Sequence, residues 1–327
     1  MLRHENKYFI TDQPPKSCCA RIKIALNATI KNIIRYKLLQ LIHPEIDDSL
    51  FRYKVSICAI FKNEAVYLRE WIEFHKIVGI EHFYLYNNNS TDNYMDVLSP
   101  YIEKGLVELE DFSKNQAQLE CYTKCINDHK KESVWIGFID IDEFIVPNTT
   151  DTVYDFLKDF NRRPAVIVYW KMFCSSGIVK RNLSGLITKD FTVCFPKYYT
   201  VGKIFFNTSY DFIPSHKWNR WFHHYMWSSY HNVLLPPVNV FDKICTFGRN
   251  PIPHCIGNND FPLQINHYFS KSLNEYNEKC KKGDVYYEKN PHDYNYLLMH
   301  EYFCTSVDYH IYKYLAKLEL QMEEVDV

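Results

Sequence analysis

Glycine is scarce in this chain, with only 9 among its 327 residues. The sequence contains no G-x-G-x-x-G segment, no G-x-x-x-x-G-K-[ST] loop and no G-x-S-x-G segment. These patterns need glycine because the backbone must approach a phosphate or expose a nucleophile at a tight turn. Dinucleotide oxidoreductases, P-loop kinases and α/β-hydrolases therefore lose their main support in the sequence.

Long apolar segments are also missing. No window of 18 or more apolar residues would span a bilayer, and the first residues lack the apolar region of a signal peptide. The 11 cysteines are an odd number at irregular spacing, which is typical of reduced thiols in a cytoplasm. Cys121 and Cys125 have no downstream partners at zinc-finger spacing. We therefore expect a cytoplasmic protein without a structural zinc.

The overall composition is that of a globular protein, with 46% hydrophobic and 24% charged residues. The formal net charge of -1 argues against a general nucleic-acid partner. Aromatic residues are abundant at 17%. The length suits one large domain with additions.

The most informative stretch is 134–144, where a run of apolar residues leads into Asp140, Ile141, Asp142 and Glu143. Charges at the end of a buried strand must be neutralised, because unpaired carboxylates are costly to desolvate. In a strand, Asp140 and Asp142 point to the same side, where they would form an oxygen site for Mg²⁺ or Mn²⁺. The alternative is that Asp140 starts a turn and Asp142 caps a helix.

Strands and helices alternate from residue 54 to residue 144. The pattern predicts strands over 54–61, 81–86 and 134–144, and helices over 65–78 and 116–130. This alternation indicates a doubly wound, mostly parallel α/β sheet. The polar residues near Lys62, Asn88 and Asp140 should then lie along one edge of that sheet, where ligands bind.

The sequence also predicts how the chain divides into domains. We predict an N-terminal tail and basic helix over 1–50, a core domain over 51–290 with halves 51–147 and 148–290, and a helical segment over 291–327. The helix at 21–43 is basic and amphipathic, with no acidic residue between 13 and 44. It could lie on an anionic membrane surface as a peripheral contact, or pack on the core with a solvated basic face.

Residues 178–260 are rich in tryptophan, tyrosine and histidine. Flat aromatic faces beside polar groups suit a sugar ring, whereas the plainer interpretation is an aromatic core with surface histidines.

Five blocks, 59–64, 67–75, 86–92, 138–144 and 265–272, together resemble glycosyltransferase family 92 and its relatives in the family-2-like group. The resemblance covers about residues 54–285. It implies a GT-A fold with a Rossmann-like nucleotide-binding half, a UDP-sugar donor and a Mn²⁺ or Mg²⁺ cofactor. It also implies inversion at the anomeric carbon, and UDP-galactose is the donor that it suggests.

The resemblance further assigns roles to residues. Asp140 and Asp142 correspond to the Asp-x-Asp pair that holds the metal on the diphosphate, and His267 corresponds to a late histidine that completes the metal shell. Lys271 is placed to meet a phosphate. The remaining donor-binding positions that it implies are Lys62, Asn63, Glu64 and Asn88. Asn88 stands where related enzymes often have an aspartate, so that the base specificity stays open.

Inversion needs a base that takes the proton of the acceptor hydroxyl. The sequence has no glutamate between Glu143 and Glu275, so that a carboxylate base from this region must be an aspartate. We predict Asp260, because it precedes the strand that carries His267. The alternatives that stay open are Asp190, Asp211, Asp242, His216, His223 and His224.

The leading hypothesis is an inverting, metal-dependent transferase that acts on a glycan or a lipid-linked sugar. A second is a sugar- or nucleotide-binding module of the same fold without turnover. A phosphoesterase is disfavoured, because its Asp-x-Asp motif would need a nearby Thr or Ser, and the residues after Glu143 offer none.

Overall fold

The computed structural model describes residues 4–5, 9–11, 18–245, 261–282 and 292–324. The strands are β1 (His4–Glu5), β2 (Phe9–Thr11), β3 (Tyr53–Phe61), β4 (His82–Asn87), β5 (Val107–Asp111), β6 (Ser133–Phe138), β7 (Glu143–Pro147), β8 (Ala165–Met172), β9 (Val193–Cys194), β10 (Tyr198–Tyr199), β11 (Gly202–Asn207), β12 (Asp211–Phe212), β13 (Ser228–Tyr230), β14 (Val233–Leu235), β15 (Val238–Asn239), β16 (Leu263–His267) and β17 (Ser306–Val307). The α-helices are α1 (Cys18–Leu41), α2 (Ala65–Ile77), α3 (Tyr94–Glu103), α4 (Gln118–His129), α5 (Val153–Leu157), α6 (Ile187–Asp190), α7 (Leu273–Lys282), α8 (Tyr294–Phe303) and α9 (Leu315–Glu324). Short 3₁₀ helices are Asp48–Leu50, Lys158–Phe160, Lys217–Trp221 and His310–Tyr314.

The central sheet has the strand order β5-β4-β3-β6-β11-β8-β16-β7, with β15 beside β8. The first four strands are parallel, and α2, α3 and α4 connect them. The second half is mixed, because β11 runs antiparallel to both β6 and β8, and β16 runs antiparallel to β7. The predicted α/β fold with a parallel, Rossmann-like half is confirmed.

The carboxyl ends of β3, β4 and β6 meet at one edge of the sheet, as predicted. The chain after β4 is tied to the end of β3, since the Asn88 backbone N–H donates to the Phe61 carbonyl over 2.8 Å. Lys62, Asn88 and Asp140 therefore follow neighbouring parallel strands on the same side of the sheet.

The stretch 134–144 is not one strand, and that prediction is wrong. β6 ends at Phe138, the chain turns over 139–142, and β7 begins at Glu143. The Glu143 backbone N–H donates to the Asp140 carbonyl over 3.1 Å and closes this turn. Turning the chain keeps Asp140 and Asp142 out of a sheet interior, where their charges would lack partners.

Helix α2 fixes the region behind this turn. Its apolar side chains Leu68, Trp71 and Ile72 are fully buried, and the helix ends before Gly79, whose φ of +87° suits glycine. The Trp71 indole N–H donates to the Glu143 carbonyl over 2.9 Å, so that α2 holds the start of β7 in place.

His75, also in α2, is a buried histidine with two backbone partners. Its Nδ1 lies 2.8 Å from the Trp71 carbonyl, and its Nε2 accepts the Ile145 backbone N–H over 3.2 Å. Nε2 can accept this hydrogen bond only when the imidazole ring is neutral. Burial lowers the pKa of His75 to about 3.

We expect this histidine to make the fold acid-sensitive. The unfolded chain takes up a proton near pH 6.5, whereas the folded chain does not until about pH 3, so that stability falls as the pH drops through this window. At pH 5 the loss from His75 amounts to about 2 kcal/mol. Denaturant unfolding at several pH values should show a smaller pH slope in His75→Gln and an unchanged slope in the exposed control His231→Gln. Equal slopes in all three proteins would contradict this role.

The terminal additions dock on the core. The Tyr36 hydroxyl of α1 donates to Asp242 over 2.9 Å, and the Tyr314 hydroxyl near the other end donates to the Pro147 carbonyl over 2.9 Å. The domain boundaries at residues 50, 147 and 290 stay a prediction. Among the described helices, none is both long enough and apolar enough to cross a bilayer.

Candidate active site

Three buried side chains, Asp142, Glu143 and His267, form the centre of the site. Each offers one ligand atom, and these atoms lie within 4.8 Å of one another. The sheet places them: His267 ends β16 opposite Glu143 at the start of β7. The Tyr268 backbone N–H also donates to the Asp142 carbonyl over 2.9 Å, so that the turn and the end of β16 are joined.

The geometry of this group suits a cation. His267 lies between the two carboxylates, with Nε2 3.5 Å from Asp142 Oδ1 and Nδ1 4.0 Å from Glu143 Oε1. Glu143 Oε1 and His267 Nδ1 are buried, and neither atom has a hydrogen-bond partner in the part of the chain that the structure describes. Two carboxylate oxygens and one imidazole nitrogen are donors that Mn²⁺ and Mg²⁺ accept. The residues present therefore fit the predicted metal.

Asp142 is ionised in this setting. Burial alone would raise the pKa of Asp142, but Lys279, His267 and Lys271 outweigh it and hold this pKa well below its usual range. Lys279 Nζ donates to Asp142 Oδ2 over 2.6 Å. The second oxygen, Oδ1, faces His267.

Glu143 behaves in the opposite way. Its side chain is fully buried, and burial together with Asp140 and Asp142 raises its pKa well above the usual range against the opposing charge of Lys203. The Lys203 ammonium lies 3.6 Å from Glu143 Oε1. Burial therefore favours the neutral form of Glu143, whereas Lys203 and a bound metal would favour the carboxylate.

Asp140 is part of the same charged region but is not among the three clustered ligand atoms. Its Oδ2 accepts from Lys203 Nζ over 2.8 Å. Its Oδ1 accepts from the Gln118 amide over 2.9 Å and from the Tyr122 hydroxyl over 3.3 Å. Three protein donors thus satisfy Asp140, and its role as a metal ligand stays a prediction.

Lys271 lies beside this centre with its side chain buried. Its ammonium lies 4.2 Å from the centroid of the Tyr67 ring. Burial lowers the pKa of Lys271, although Glu64 and Asp142 oppose the shift. Neither an ion pair nor a hydrogen bond of this ammonium occurs among the described residues. A buried cation without a carboxylate partner is suited to an anionic ligand.

The predicted nucleoside-binding residues follow β3. Asn63 adopts a positive φ of 54°, its side-chain oxygen accepts the Thr91 backbone N–H over 2.7 Å, and Glu64 pairs with Lys282 over 3.1 Å. Lys62 is half-buried at the end of the same strand. These residues join the loops after β3 and β4.

Asn88 also holds two loops together. Its amide nitrogen donates to the carbonyls of Phe112 and Lys114, each over 2.8 Å. The side chain is buried and links the ends of β4 and β5. Its oxygen is left for a ligand or a solvent molecule.

The predicted base, Asp260, lies outside the described residues. Three of the alternative aspartates pair with cations: Asp190 with Arg181, Asp211 with Lys130 and Asp242 with Arg163. His223 is buried. His224 has its Nδ1 2.5 Å from the Gly202 carbonyl and packs edge-on against Trp170, with ring centroids 5.3 Å apart.

Sequence reasoning missed Glu143, Lys203 and Lys279 as parts of the site. Glu143 belongs to the motif itself, but the single-strand interpretation left it without a role. Lys203 carried a usable signal, since it is the one charged residue in the otherwise uncharged strand Gly202–Asn207. Lys279 gave no such signal, because a lysine in a polar helix is ordinary.

Comparisons with known proteins identify the family of this chain. The family model for glycosyltransferase family 92 matches residues 52–246, and the chain belongs to that family. A family 92 protein of Oryza sativa subsp. japonica is 29% identical over 115 residues, covering 35% of this chain and 20% of the relative. A family 92 protein of Ricinus communis is 26% identical over 125 residues, covering 38% and 23%. The chain thus spans about a fifth of the length of these relatives.

Among solved structures, S. aureus TarS 1–349 is similar at a TM-score of 0.32 with 14% identity, covering 48% of this chain and 47% of TarS. The same protein in complex with UDP-GlcNAc gives a TM-score of 0.30 with 14% identity, covering 48% and 46%. TM-scores of this size mark only a partial likeness. The fold class follows from family membership and the sheet described above, which together confirm the predicted GT-A fold.

Proposed function

We propose that this protein transfers a sugar from a UDP-sugar, with UDP-galactose as a candidate, to a hydroxyl group of a glycan or a lipid-linked sugar, with inversion and with a bound Mn²⁺ or Mg²⁺. The observation that carries the proposal is the buried group of Asp142, Glu143 and His267 at the edge where parallel strands end. Family membership supports the same reaction class.

Asp142, Glu143 and His267 would hold the metal. When bound, the ion supplies positive charge that stabilises the departing diphosphate. Lys279 keeps Asp142 ionised, and Lys203 pairs with Asp140. The protein's own residues thus arrange the charges before the donor arrives.

Lys271 would bind a phosphate oxygen of the donor. Its ammonium is fixed over the Tyr67 ring and sits in the field of Asp142 and Glu64, so that it lies beside the metal group without an ion-pair partner among the described residues. A positioned cation lowers the cost of charge that develops on the leaving group.

Two residues are candidates for the base. Asp260 remains the proposed one. His224 is the alternative that one contact favours. Its Nδ1 lies next to the Gly202 carbonyl oxygen and must therefore carry the ring proton, which leaves Nε2 free to accept a proton. Burial, assisted by Lys203, lowers the pKa of His224 to about 3, so that the ring is neutral at pH 7. A neutral ring can accept a proton, but so low a pKa makes His224 a weak base, and Asp260 therefore stays the first candidate.

The acceptor would bind between α4 and the segment 214–222. A cavity of about 490 Å³ lies there, with Leu119 and Phe222 on its apolar side and Thr123, Asn127 and Arg220 among its polar groups. Mixed apolar and hydrogen-bonding walls suit a sugar chain. The cavity adjoins α4, whose Gln118 and Tyr122 bind Asp140.

The test is the release of UDP from a panel of UDP-sugars, with Mn²⁺ or with a chelator, and with glycan acceptors added. We expect Mn²⁺-dependent release that acceptors accelerate, and an inverted product by NMR. Asp260→Asn and His224→Gln identify the base: the one that is the base should lose transfer while keeping donor binding. Nucleotide binding without any release would instead indicate the non-catalytic binding module.

A further inference from the structure

The outward side of α1 is apolar and unusually exposed. Ile30, Ile33, Ile34 and Leu41 have exposed fractions of 64%, 55%, 57% and 80%. Single exposed aliphatic side chains are normal on a protein surface, but four on one helix face form a patch. We call these four residues together with Lys31 and Lys37 the α1 face.

The spacing places them on one side of the helix. Residues 33, 34, 37 and 41 follow residue 30 by three, four, seven and eleven positions, which is the repeat of one helix face. The other side of the helix is anchored to the core through Leu39, which is fully buried, and Tyr36, which binds Asp242. The direction of the α1 face is therefore fixed by packing.

The charges beside this patch have one sign. Lys31 and Lys37 are exposed, and no acidic residue occurs between positions 13 and 44. Arg35 reaches inward, with its guanidinium 5.0 Å from the centroid of the Trp227 ring. Trp227 in turn neighbours His216, which caps the 3₁₀ helix Lys217–Trp221.

That 3₁₀ helix has a similar surface. Lys217 and Arg220 are exposed, and the Trp218 side chain between them has an exposed fraction of 50%. Tryptophan with neighbouring cations is typical of protein segments at a membrane–water boundary. Two neighbouring elements therefore expose apolar and basic side chains together.

We propose that the α1 face docks on the surface of an anionic lipid bilayer. Aliphatic side chains enter the boundary between headgroups and acyl chains, while lysines beside them bind anionic headgroups. A second copy of the chain is a poorer occupant, because a symmetric contact would bring the lysines of two faces together. The proposal does not depend on sugar transfer and is tested without any donor.

The experiment is sedimentation of the full chain with vesicles of phosphatidylcholine alone or mixed with phosphatidylglycerol. We expect binding only to the mixed vesicles, and weaker binding at high salt. Ile33→Ser with Ile34→Ser should lower the partition coefficient at least about tenfold, since two aliphatic side chains lose their transfer energy. Lys31→Glu with Lys37→Glu should lower it by about 25-fold or more, at about fivefold for each lysine.

Each matched control makes the same type of substitution at exposed positions outside the α1 face. Leu298→Ser with Leu320→Ser changes two exposed leucines, and Lys104→Glu with Lys131→Glu changes two exposed lysines. Both controls should bind like the wild type, and circular dichroism checks that all variants fold. Absence of binding to mixed vesicles, or binding that the α1 variants leave unchanged, would overturn the proposal. A lipid-free dimer that Ile33→Ser with Ile34→Ser dissociates, without vesicle binding, would assign the face to self-association instead.

Discussion

Replacing Asp142 with asparagine is expected to lower metal-dependent release of UDP by about a hundred- to a thousandfold. Asparagine keeps the size of the side chain but removes the charge that Lys279, His267 and Lys271 stabilise. A bound metal would then meet only a neutral amide oxygen at this position, so that the ion proposed to offset the phosphate charge would be held more weakly.

The measurement is the initial rate of UDP release at saturating Mn²⁺, for wild type and Asp142→Asn. Asp159→Asn provides a matched control, because Asp159 is exposed on the 3₁₀ helix Lys158–Phe160 and should leave the rate unchanged. Circular dichroism must show that both variants are folded. A rate for Asp142→Asn within about a factor of two of the control would show that Asp142 has no part in the release of UDP.

Replacing Lys203 with methionine is expected to destabilise the fold by about 3–5 kcal/mol, because one partner of a buried ion pair is lost. The Lys203 side chain has an exposed fraction of 1%, and its ammonium lies 2.8 Å from Asp140 and 3.6 Å from Glu143. Although burial alone would lower the pKa of Lys203, these carboxylates raise it. Methionine fills a similar volume but leaves Asp140 without its cation.

Thermal unfolding measures this effect, and a loss of about 4–7 °C in Tm is expected for a chain of this size. Asp140→Asn in the Lys203→Met background should recover part of the loss, because the uncompensated charge is then absent. The exposed Lys104→Met is the control and should change stability by less than about 0.5 kcal/mol. A Lys203→Met protein as stable as this control would mean that water already satisfies the two carboxylates.

The parallel half of the fold was predictable because the spacing of apolar residues and the residues that end each helix or strand indicate the same elements there. Helix α2 was predicted over 65–78 and ends at Ile77, where Gly79 allows the positive φ. Ser272 and Glu275 form a capping box at the start of α7: the Glu275 backbone N–H donates to Ser272 Oγ over 3.3 Å, and the Ser272 backbone N–H donates to Glu275 Oε2 over 3.1 Å. In both cases local chemistry decides the structure.

The site was predictable only in part, for a physical reason. Asp142 was predicted from the acidic end of the apolar run and His267 from a resemblance, and the structure brings them together through pairing of β7 and β16, which lie more than 100 residues apart in the chain. A turn starting at Asp140 was only the alternative prediction, because the apolar run before it looks like one long strand. Lys203 meets Asp140 through the antiparallel pairing of β11 with β6, a contact that no local pattern encodes.

The central claim is that Asp142, Glu143 and His267 bind a divalent ion that fixes a nucleoside diphosphate. Its most direct test is the thermal stability of the wild-type chain with UDP, with Mn²⁺, with both, and with neither. At about 100 times the dissociation constant, bound UDP should add about 2.7 kcal/mol of stability, and should do so only when Mn²⁺ is present. An equal UDP shift with and without Mn²⁺, or a shift that survives in the Asp142→Asn, His267→Gln double variant, would contradict it.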